Sequence, residues 1–199
     1  MHSANATNKQ LSDDGGKHRS VRLLSKNSIA FMIMGVVCFG ITVVASAQNS
    51  KTGRPFRSLV GQAAPAFTVQ SLDDGRAVAL ADYRGKAVMV NFWATWCGNC
   101  KVEMPWLAEL REKYAAQGFE VLGIVTDDAP TEKIKALAQK YGVKYPILMC
   151  NHKTAQTYGG LPDLPESFLI DRYGKIVAEM DGADSKRQIE ENIRKVLRR

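Results

Sequence analysis

Residues 90–110 read VNFWATWCGNCKVEMPWLAEL, and a strand signal and a helix signal meet inside them. The strand signal begins earlier, because residues 87–93 (AVMVNFW) form a nearly continuous apolar run, which is typical of a central strand covered on both faces. Beyond this run, apolar side chains recur every fourth residue until Gly118, and that spacing predicts a helix. These helical positions are Val102, Trp106, Leu110 and Tyr114.

Cys97 and Cys100 lie where the predicted strand gives way to the predicted helix. Two cysteines three residues apart at a helix start can close a small disulfide ring. Unpaired backbone N–H groups and the positive end of the helix dipole favour a thiolate at Cys97, so we expect a lowered pKa and a nucleophilic role there. Cys100, one turn into the helix, is expected to be more buried and to resolve a mixed disulfide.

Three other interpretations of these cysteines are weaker. A structural zinc site needs two more ligands, and beyond the apolar N-terminal segment only Cys150 and His152 are of that kind. An inert structural disulfide fits poorly, because a strand-to-helix corner beside Trp96 favours exposure and reactivity. A Ser-His-Asp hydrolase lacks support, since His152 is the only histidine after residue 47 and no nucleophile elbow is present.

The remaining segments predict an α/β domain with a mixed sheet. A β-hairpin comes first, then strands alternating with helices, then two strands and a closing helix. Alternation implies parallel strands with crossover helices, and the late hairpin adds antiparallel strands, so helices are expected on both faces of the sheet. The predicted strands are 67–69, 78–80, 87–93, 119–126, 145–149, 167–170 and 175–180, and the later helices are 131–142 and 185–197.

The N-terminus is predicted to be a targeting or membrane-anchoring segment and not part of this domain. Residues 1–28 form a polar, basic tail, and residues 29–47 carry no charge over a length just sufficient to cross a bilayer. A retained anchor is favoured over a cleaved signal, although residues 45–47 (ASA) resemble a signal-peptidase site. Residues 48–60 are expected to be a linker, and residues 61–199 the domain.

The basic flank is expected to stay in the cytoplasm, which sends the domain to the far side of the membrane. If the segment is instead cleaved behind Ala47, the domain would be soluble on that side. This topology also explains much of the net charge of +7 on 199 residues, because residues 1–47 hold five basic and two acidic side chains. The remaining charge is interspersed, so no nucleic-acid partner is expected.

The four cysteines are too few for a disulfide-stapled scaffold, so cysteine chemistry must be local. Cys38 lies within the apolar segment and is interpreted as chemically silent. Cys150 is expected to be unpaired and buried at a strand end. Only Cys97 and Cys100 are left as reactive candidates.

Three separate runs resemble the membrane-associated thioredoxin-like proteins of the TlpA/ResA/CcmG (DsbE) group. Besides residues 90–110 they are FTVQSLDDGRAVALADYRGK at 67–86 and LPESFLIDRYGKIV at 164–177. The resemblance covers about residues 60–199. It implies a thioredoxin-like fold with the N-terminal β-hairpin as an extension.

The resemblance also implies roles for individual residues. Pro165 matches the cis-proline that faces the two cysteines, in a loop whose backbone pairs with a client peptide; Leu164 and Trp96 are expected to contact that client. Glu103 matches an acidic residue of the group, buried behind the dithiol, where it could shuttle the proton of the second cysteine. Pro105 matches a proline that kinks the active-site helix.

Two positions depart from the family pattern. Members usually carry proline before the second cysteine, whereas this chain has Asn99. Asn99 restores an N–H donor that could bond to a sulfur, stabilise the thiolate and make the disulfide more oxidising. Asn91 stands where classical thioredoxins have a buried acid, which leaves that function to Glu103.

The resemblance implies a reductase of protein disulfides on a bacterial inner membrane, with its domain in the periplasm or outside the cell, or soluble in the periplasm if the segment is cleaved behind Ala47. It would need no bound cofactor or metal beyond its Cys97–Cys100 disulfide, and a membrane electron donor of the DsbD/CcdA type would re-reduce it. Apocytochrome c is one candidate client, since its CxxCH cysteines must be reduced before haem attaches. Two alternatives stay open: a disulfide-forming oxidase or isomerase, and a metal-binding assembly chaperone using these cysteines with His152 or Met104.

Overall fold

Seven strands form one mixed sheet in the computed structural model, which describes residues 58–182 and 184–199. The order across the sheet is β2-β1-β5-β4-β3-β6-β7. Strand β3 pairs in parallel with β4 and antiparallel with β6, and the β1–β2 hairpin extends the sheet beyond β5. The strands are β1 Thr68–Ser71, β2 Ala77–Ala79, β3 Ala87–Trp93, β4 Phe119–Val125, β5 Ile147–Met149, β6 Glu166–Ile170 and β7 Ile176–Met180.

In the part of the chain that the structure describes, four α-helices and two short 3-10 turns join or follow these strands. The predicted α/β fold with a mixed sheet and an N-terminal hairpin extension is thereby confirmed. The elements are α1 Gly98–Tyr114, α2 Thr131–Lys140, α3 His152–Thr157 and α4 Lys186–Leu197, with 3-10 turns at Leu80–Tyr83 and Ala115–Gln117.

Helix α3 was not predicted from the sequence. Its six residues, HKTAQT, are polar and too few to show a helical repeat of apolar positions. The helix begins where the Asn151 side chain accepts a hydrogen bond from the Thr154 amide. This side-chain cap satisfies a backbone donor that the short helix itself leaves unpaired.

The two faces of the sheet bury different clusters. Alternate residues of β3 and β4 pack against α1, α2 and α4 on one face. The opposite face buries an aromatic group, in which the Tyr158 ring behind α3 lies 5.2 Å from Phe92 and 4.9 Å from Phe168. All seven residues of β3 are buried, as its apolar run predicted.

The predicted apolar stripe of α1 is wrong at its first position, because Val102 is 54% exposed. Positions four residues apart advance by about 400° around a helix, so a stripe drawn at that spacing drifts off the buried face. The observed buried face mixes spacings of three and four, and it includes two polar or reactive groups. Its residues are Cys100, Glu103, Met104, Leu107, Leu110 and Tyr114.

Several expectations fall on parts of the chain that the structure does not describe. The basic tail at 1–28, the apolar segment at 29–47 and most of the 48–60 linker lie outside the described residues. Within 58–182 and 184–199, none of the helices has the length and apolar character needed to cross a membrane.

Candidate active site

Cys97 and Cys100 form a disulfide at the point where the central strand leads into α1. Cys97 is the N-cap residue of the helix, and its Sγ accepts a hydrogen bond from the Cys100 amide at 3.1 Å. The Cα atoms are 5.4 Å apart and the S–S bond is 2.06 Å long. An N-cap position beside free backbone N–H groups favours negative charge on the Cys97 sulfur once the bond is reduced.

Both sulfur-bearing residues lie beneath the surface in this oxidised state. Cys97 is 4% exposed and Cys100 1%, so the predicted order of burial holds, but the expected exposure of Cys97 is wrong. Leu164 packs against the apolar cluster that contains both cysteines. The neighbouring Trp96 does reach solvent, with 70% of its surface exposed.

Glu103 is a buried carboxyl group one helical turn beyond Cys100. It is 7% exposed, as expected for a carboxyl group that lies behind the dithiol. Burial raises its pKa to about 7, and the nearby charge of Asp184 acts in the same direction. A group with this pKa can accept and return a proton near neutral pH.

Asn91 ties this carboxyl group to the sheet. Its Nδ2 donates to Glu103 Oε2 at 3.3 Å and to Ser167 Oγ on the neighbouring β6 at 2.9 Å. The hydrogen bond to Glu103 favours the charged carboxylate and partly offsets the effect of burial on its pKa. Asn91 therefore positions the Glu103 carboxyl group, and Glu103 remains the acid of this site.

A pocket of about 90 Å³ opens beside the dithiol. The Leu164–Pro165 peptide bond is cis, the geometry that the resemblance implies, and Pro165 lines this pocket together with Glu103 and Asn99. The hydrogen bond to Cys97 comes from the Cys100 amide and not from Asn99. The roles of Pro165, Leu164 and Trp96 in holding a client stay predictions.

Two supports of the site were not found from the sequence. The backbone N and Oγ1 of Thr95 donate to the Asp127 carboxylate at 2.9 and 2.6 Å. Asp127 lies two residues after the C-terminal end of β4, so these bonds hold the loop before the dithiol against that end of the strand. Gly182 and Asp184 line the pocket beside Glu103 although they follow it by about eighty residues. In the sequence, Asp127 belongs to a turn-like DDAP run at 127–130 and Gly182 is a single glycine. Neither pattern shows which residues it contacts.

Cys150 packs against the apolar cluster on the other face of the sheet, apart from this site, whereas Met104 is buried in the cluster that contains both cysteines. Cys150 is half-buried just after β5, and burial raises the pKa of its thiol, which disfavours reactivity. Across the residues that the structure describes, no three His, Cys, Asp or Glu side chains converge in a way that could hold a metal ion.

Replacing Gly182 with alanine is expected to disturb the Pro165 loop. A Cβ at Gly182 would stand 2.6 Å from Pro165 Cδ, at a backbone φ of +77°. We expect a stability loss of about 1–2 kcal/mol from the left-handed backbone and a further 1–3 kcal/mol from the clash, with several-fold slower disulfide reduction. Urea unfolding and insulin reduction would measure the two effects.

Gly118→Ala is the matched control, because φ is +83° there and nothing lies within 4 Å of the added Cβ. Equal losses of stability and equal rates in the two variants would contradict the proposed contact with Pro165.

Comparisons with known proteins agree with this geometry. Residues 60–179 match the model of the AhpC/TSA family. Thiol-disulfide oxidoreductase ResA from Bacillus cereus is 33% identical over 174 residues, covering 87% of this chain and 99% of the relative. ResA from Bacillus anthracis is 36% identical over 176 residues, covering 88% and 96%.

Solved structures give the same result. The crystal structure of a candidate thiol:disulfide interchange protein DsbE from Chlorobium tepidum is 33% identical, with a TM-score of 0.64, and covers 70% of this chain and 99% of that one. A candidate protein disulfide isomerase from Bacteroides thetaiotaomicron is 32% identical, with a TM-score of 0.63 and coverages of 70% and 91%.

Proposed function

Because this chain belongs to the AhpC/TSA family and is a thioredoxin-like thiol-disulfide oxidoreductase, we propose that it works outside the cytoplasm as a reductant of protein disulfides. One observation carries the proposal: a disulfide at a helix N-terminus has a buried carboxyl group with a pKa of about 7 one turn behind it. Such a pair supplies both a nucleophilic sulfur and a proton acceptor for the second sulfur.

The reaction starts from the dithiol. The Cys97 thiolate attacks one sulfur of a client disulfide, forms a mixed disulfide and expels the other client sulfur as a thiolate. Ionised Glu103 accepts the proton of Cys100, whose thiolate then attacks Cys97 Sγ and releases the second client thiolate. The client gains two electrons, and the Cys97–Cys100 disulfide returns.

The surface around the dithiol fits an extended polypeptide as client. Trp96 and Val102 expose 70% and 54% of their surfaces beside cysteines that are themselves buried. An apolar rim of this kind can contact client side chains while the Pro165 loop offers backbone groups for pairing.

The location, the electron donor and the client extend this proposal. The apolar segment at 29–47 with its basic flank supports a membrane anchor and a domain on the far side. Electrons must then come from a membrane dithiol carrier, for which the DsbD/CcdA type is the family's precedent. Apocytochrome c, with its CxxCH cysteines, is the client that we propose.

Trapping with Cys100→Ala tests the client and the mechanism together. Without the resolving sulfur, the mixed disulfide on Cys97 should persist, and diagonal gels with mass spectrometry should show c-type apocytochromes among the captured proteins. Cys97→Ser/Cys100→Ala is the control and should capture none of them. Capture that is equal in both variants would contradict attack by Cys97.

The redox potential, measured against glutathione, decides the direction. We expect a value nearer to the about −270 mV of a reducing dithiol than to the about −120 mV of a strongly oxidising one. A value at the oxidising end would overturn the reductase and favour the disulfide-forming alternative.

A further inference from the structure

A second pocket, of about 150 Å³, lies at the end of the sheet opposite the dithiol. It is formed where β3 begins and β6 ends, and Val88 and Ile170 pair across its floor. From Val88 to Trp93 the strand rises roughly 17 Å, so this pocket is separate from the active site.

Cationic side chains dominate the polar lining of this pocket. Arg84, Lys86 and Arg172 line it, and within the described ranges 58–182 and 184–199 no carboxylate forms an ion pair with any of them. The one lining carboxylate, Asp171, accepts the backbone N–H groups of Tyr173 and Lys175 through Oδ1, at 3.0 and 2.9 Å. Asp171 Oδ1 is thus engaged by the turn that it closes.

Arg172 is held in place but is not fully satisfied. One terminal nitrogen donates to the Leu197 carbonyl oxygen at 3.3 Å, whereas its Nε is buried and has no acceptor in the part of the chain that the structure describes. Lys86 Nζ lies 5.8 Å from the centre of the Tyr83 ring, which also lines the pocket. Three cationic residues that line one pocket without an ion pair among the described residues, one of them with a buried donor that has no partner there, favour an anionic ligand with several acceptor oxygens.

We propose that this pocket binds a phosphate group and that the group is presented by the headgroup of an anionic phospholipid. Tyr173 supports the lipid as its source, because this aromatic side chain is 75% exposed beside the cations, the combination found where proteins meet a membrane interface. Contact at this end leaves the dithiol free for clients. The lipid source, but not the phosphate site, rests on the membrane anchoring proposed above.

Hydrogen exchange on the full chain tests this site. The protein is placed in nanodiscs of phosphatidylcholine alone or with one-third phosphatidylglycerol, and peptides covering 83–88 and 170–175 are compared with the reference peptide 94–102. We expect exchange in the first two to slow several-fold with phosphatidylglycerol while the reference is unchanged. A parallel arm adds 10 mM inorganic phosphate to phosphatidylcholine nanodiscs.

Arg84→Gln/Lys86→Gln is the test variant and Lys133→Gln/Lys153→Gln the matched control, since both remove two exposed cations. Each cation at an anionic surface contributes roughly fivefold, so the test variant should lose most of the slowing and the control should keep it.

Slowing with phosphatidylglycerol alone supports the lipid headgroup. Slowing in both arms supports the phosphate site and the lipid headgroup as its occupant, whereas slowing with inorganic phosphate but not with phosphatidylglycerol supports the phosphate site and overturns the lipid as its source. No slowing in either arm, or equal slowing in the two double variants, overturns the site itself. Insulin reduction should be unchanged in both variants, so failure of this proposal is distinguishable from failure of the thiol chemistry.

Discussion

Replacing Cys97 with serine is expected to lower insulin-disulfide reduction on the order of a thousandfold or more. The attacking group must be a thiolate, and the site stabilises one at Cys97 through the helix N-terminus and the Cys100 amide, 3.1 Å away. A serine hydroxyl does not ionise near neutral pH and cannot form a mixed disulfide. Stopped-flow or turbidity measurements of insulin reduction with excess dithiothreitol would give the rate.

Cys150→Ser is the matched control for this experiment. Cys150 is the free cysteine of the described residues, it is half-buried, and the raised pKa of its thiol opposes reaction, so this variant should keep its activity. Substantial insulin reduction by Cys97→Ser would refute Cys97 as the nucleophile. Loss of activity in Cys150→Ser, with unchanged circular dichroism, would assign a redox role to Cys150.

Replacing Glu103 with glutamine is expected to change the pH dependence of turnover. With a pKa of about 7, the wild-type carboxyl group becomes a competent base as the pH rises through neutrality. The resolving step at Cys100 should therefore accelerate between pH 6 and 8 in the wild type. In Glu103→Gln it should lack this inflection and be about a hundredfold slower at pH 8, as single-turnover reoxidation would show.

Glu103→Gln should slow turnover but should make the fold more stable at neutral and alkaline pH. The pKa of Glu103 is raised from 4.5 to about 7, so the fold favours the protonated carboxyl group. That contribution is complete below pH 4.5 and is lost as the pH rises through 7. At pH 8 the ionised group costs about 3 kcal/mol, and Glu103→Gln should be more stable than wild type by up to that amount.

Urea unfolding between pH 4 and 8 would measure this difference, which should vanish near pH 4. Glu132→Gln, at an exposed glutamate of α2, is the control and should change neither profile. An inflection near pH 7 that persists in Glu103→Gln would show that another group carries the proton.

Most of the fold could be predicted from local patterns. The apolar run at 87–93 placed β3, because a strand buried on both faces needs continuous apolar residues. The predicted end of the first helix at Gly118 is wrong, because α1 ends at Tyr114 and Gly118, at a φ of +83°, caps the 3-10 turn Ala115–Gln117 that follows it. Helix α3 escaped prediction since six polar residues carry no period. The prediction that Val102 is buried failed for a related reason. A repeat of four residues follows the buried face of a helix only over about two turns.

The site divides in a similar way. The spacing of Cys97 and Cys100 and the helix that follows are properties of one short segment, so the chemistry of the dithiol was accessible from the sequence by itself. The tertiary structure decided how that chemistry is tuned. Burial between α1 and the sheet raises the pKa of Glu103, and Leu164 packs against the apolar cluster that contains the disulfide.

Tertiary structure alone also brought together residues that are far apart along the chain. The bond from Thr95 to Asp127, the position of Gly182 against Pro165 and the pocket between Arg84 and Arg172 each join separate segments of the sheet. Local sequence records which side chains are available and at what helical or strand spacing. It does not record which of them become neighbours, because that depends on strand order and register, and these are determined by the packing of the whole core.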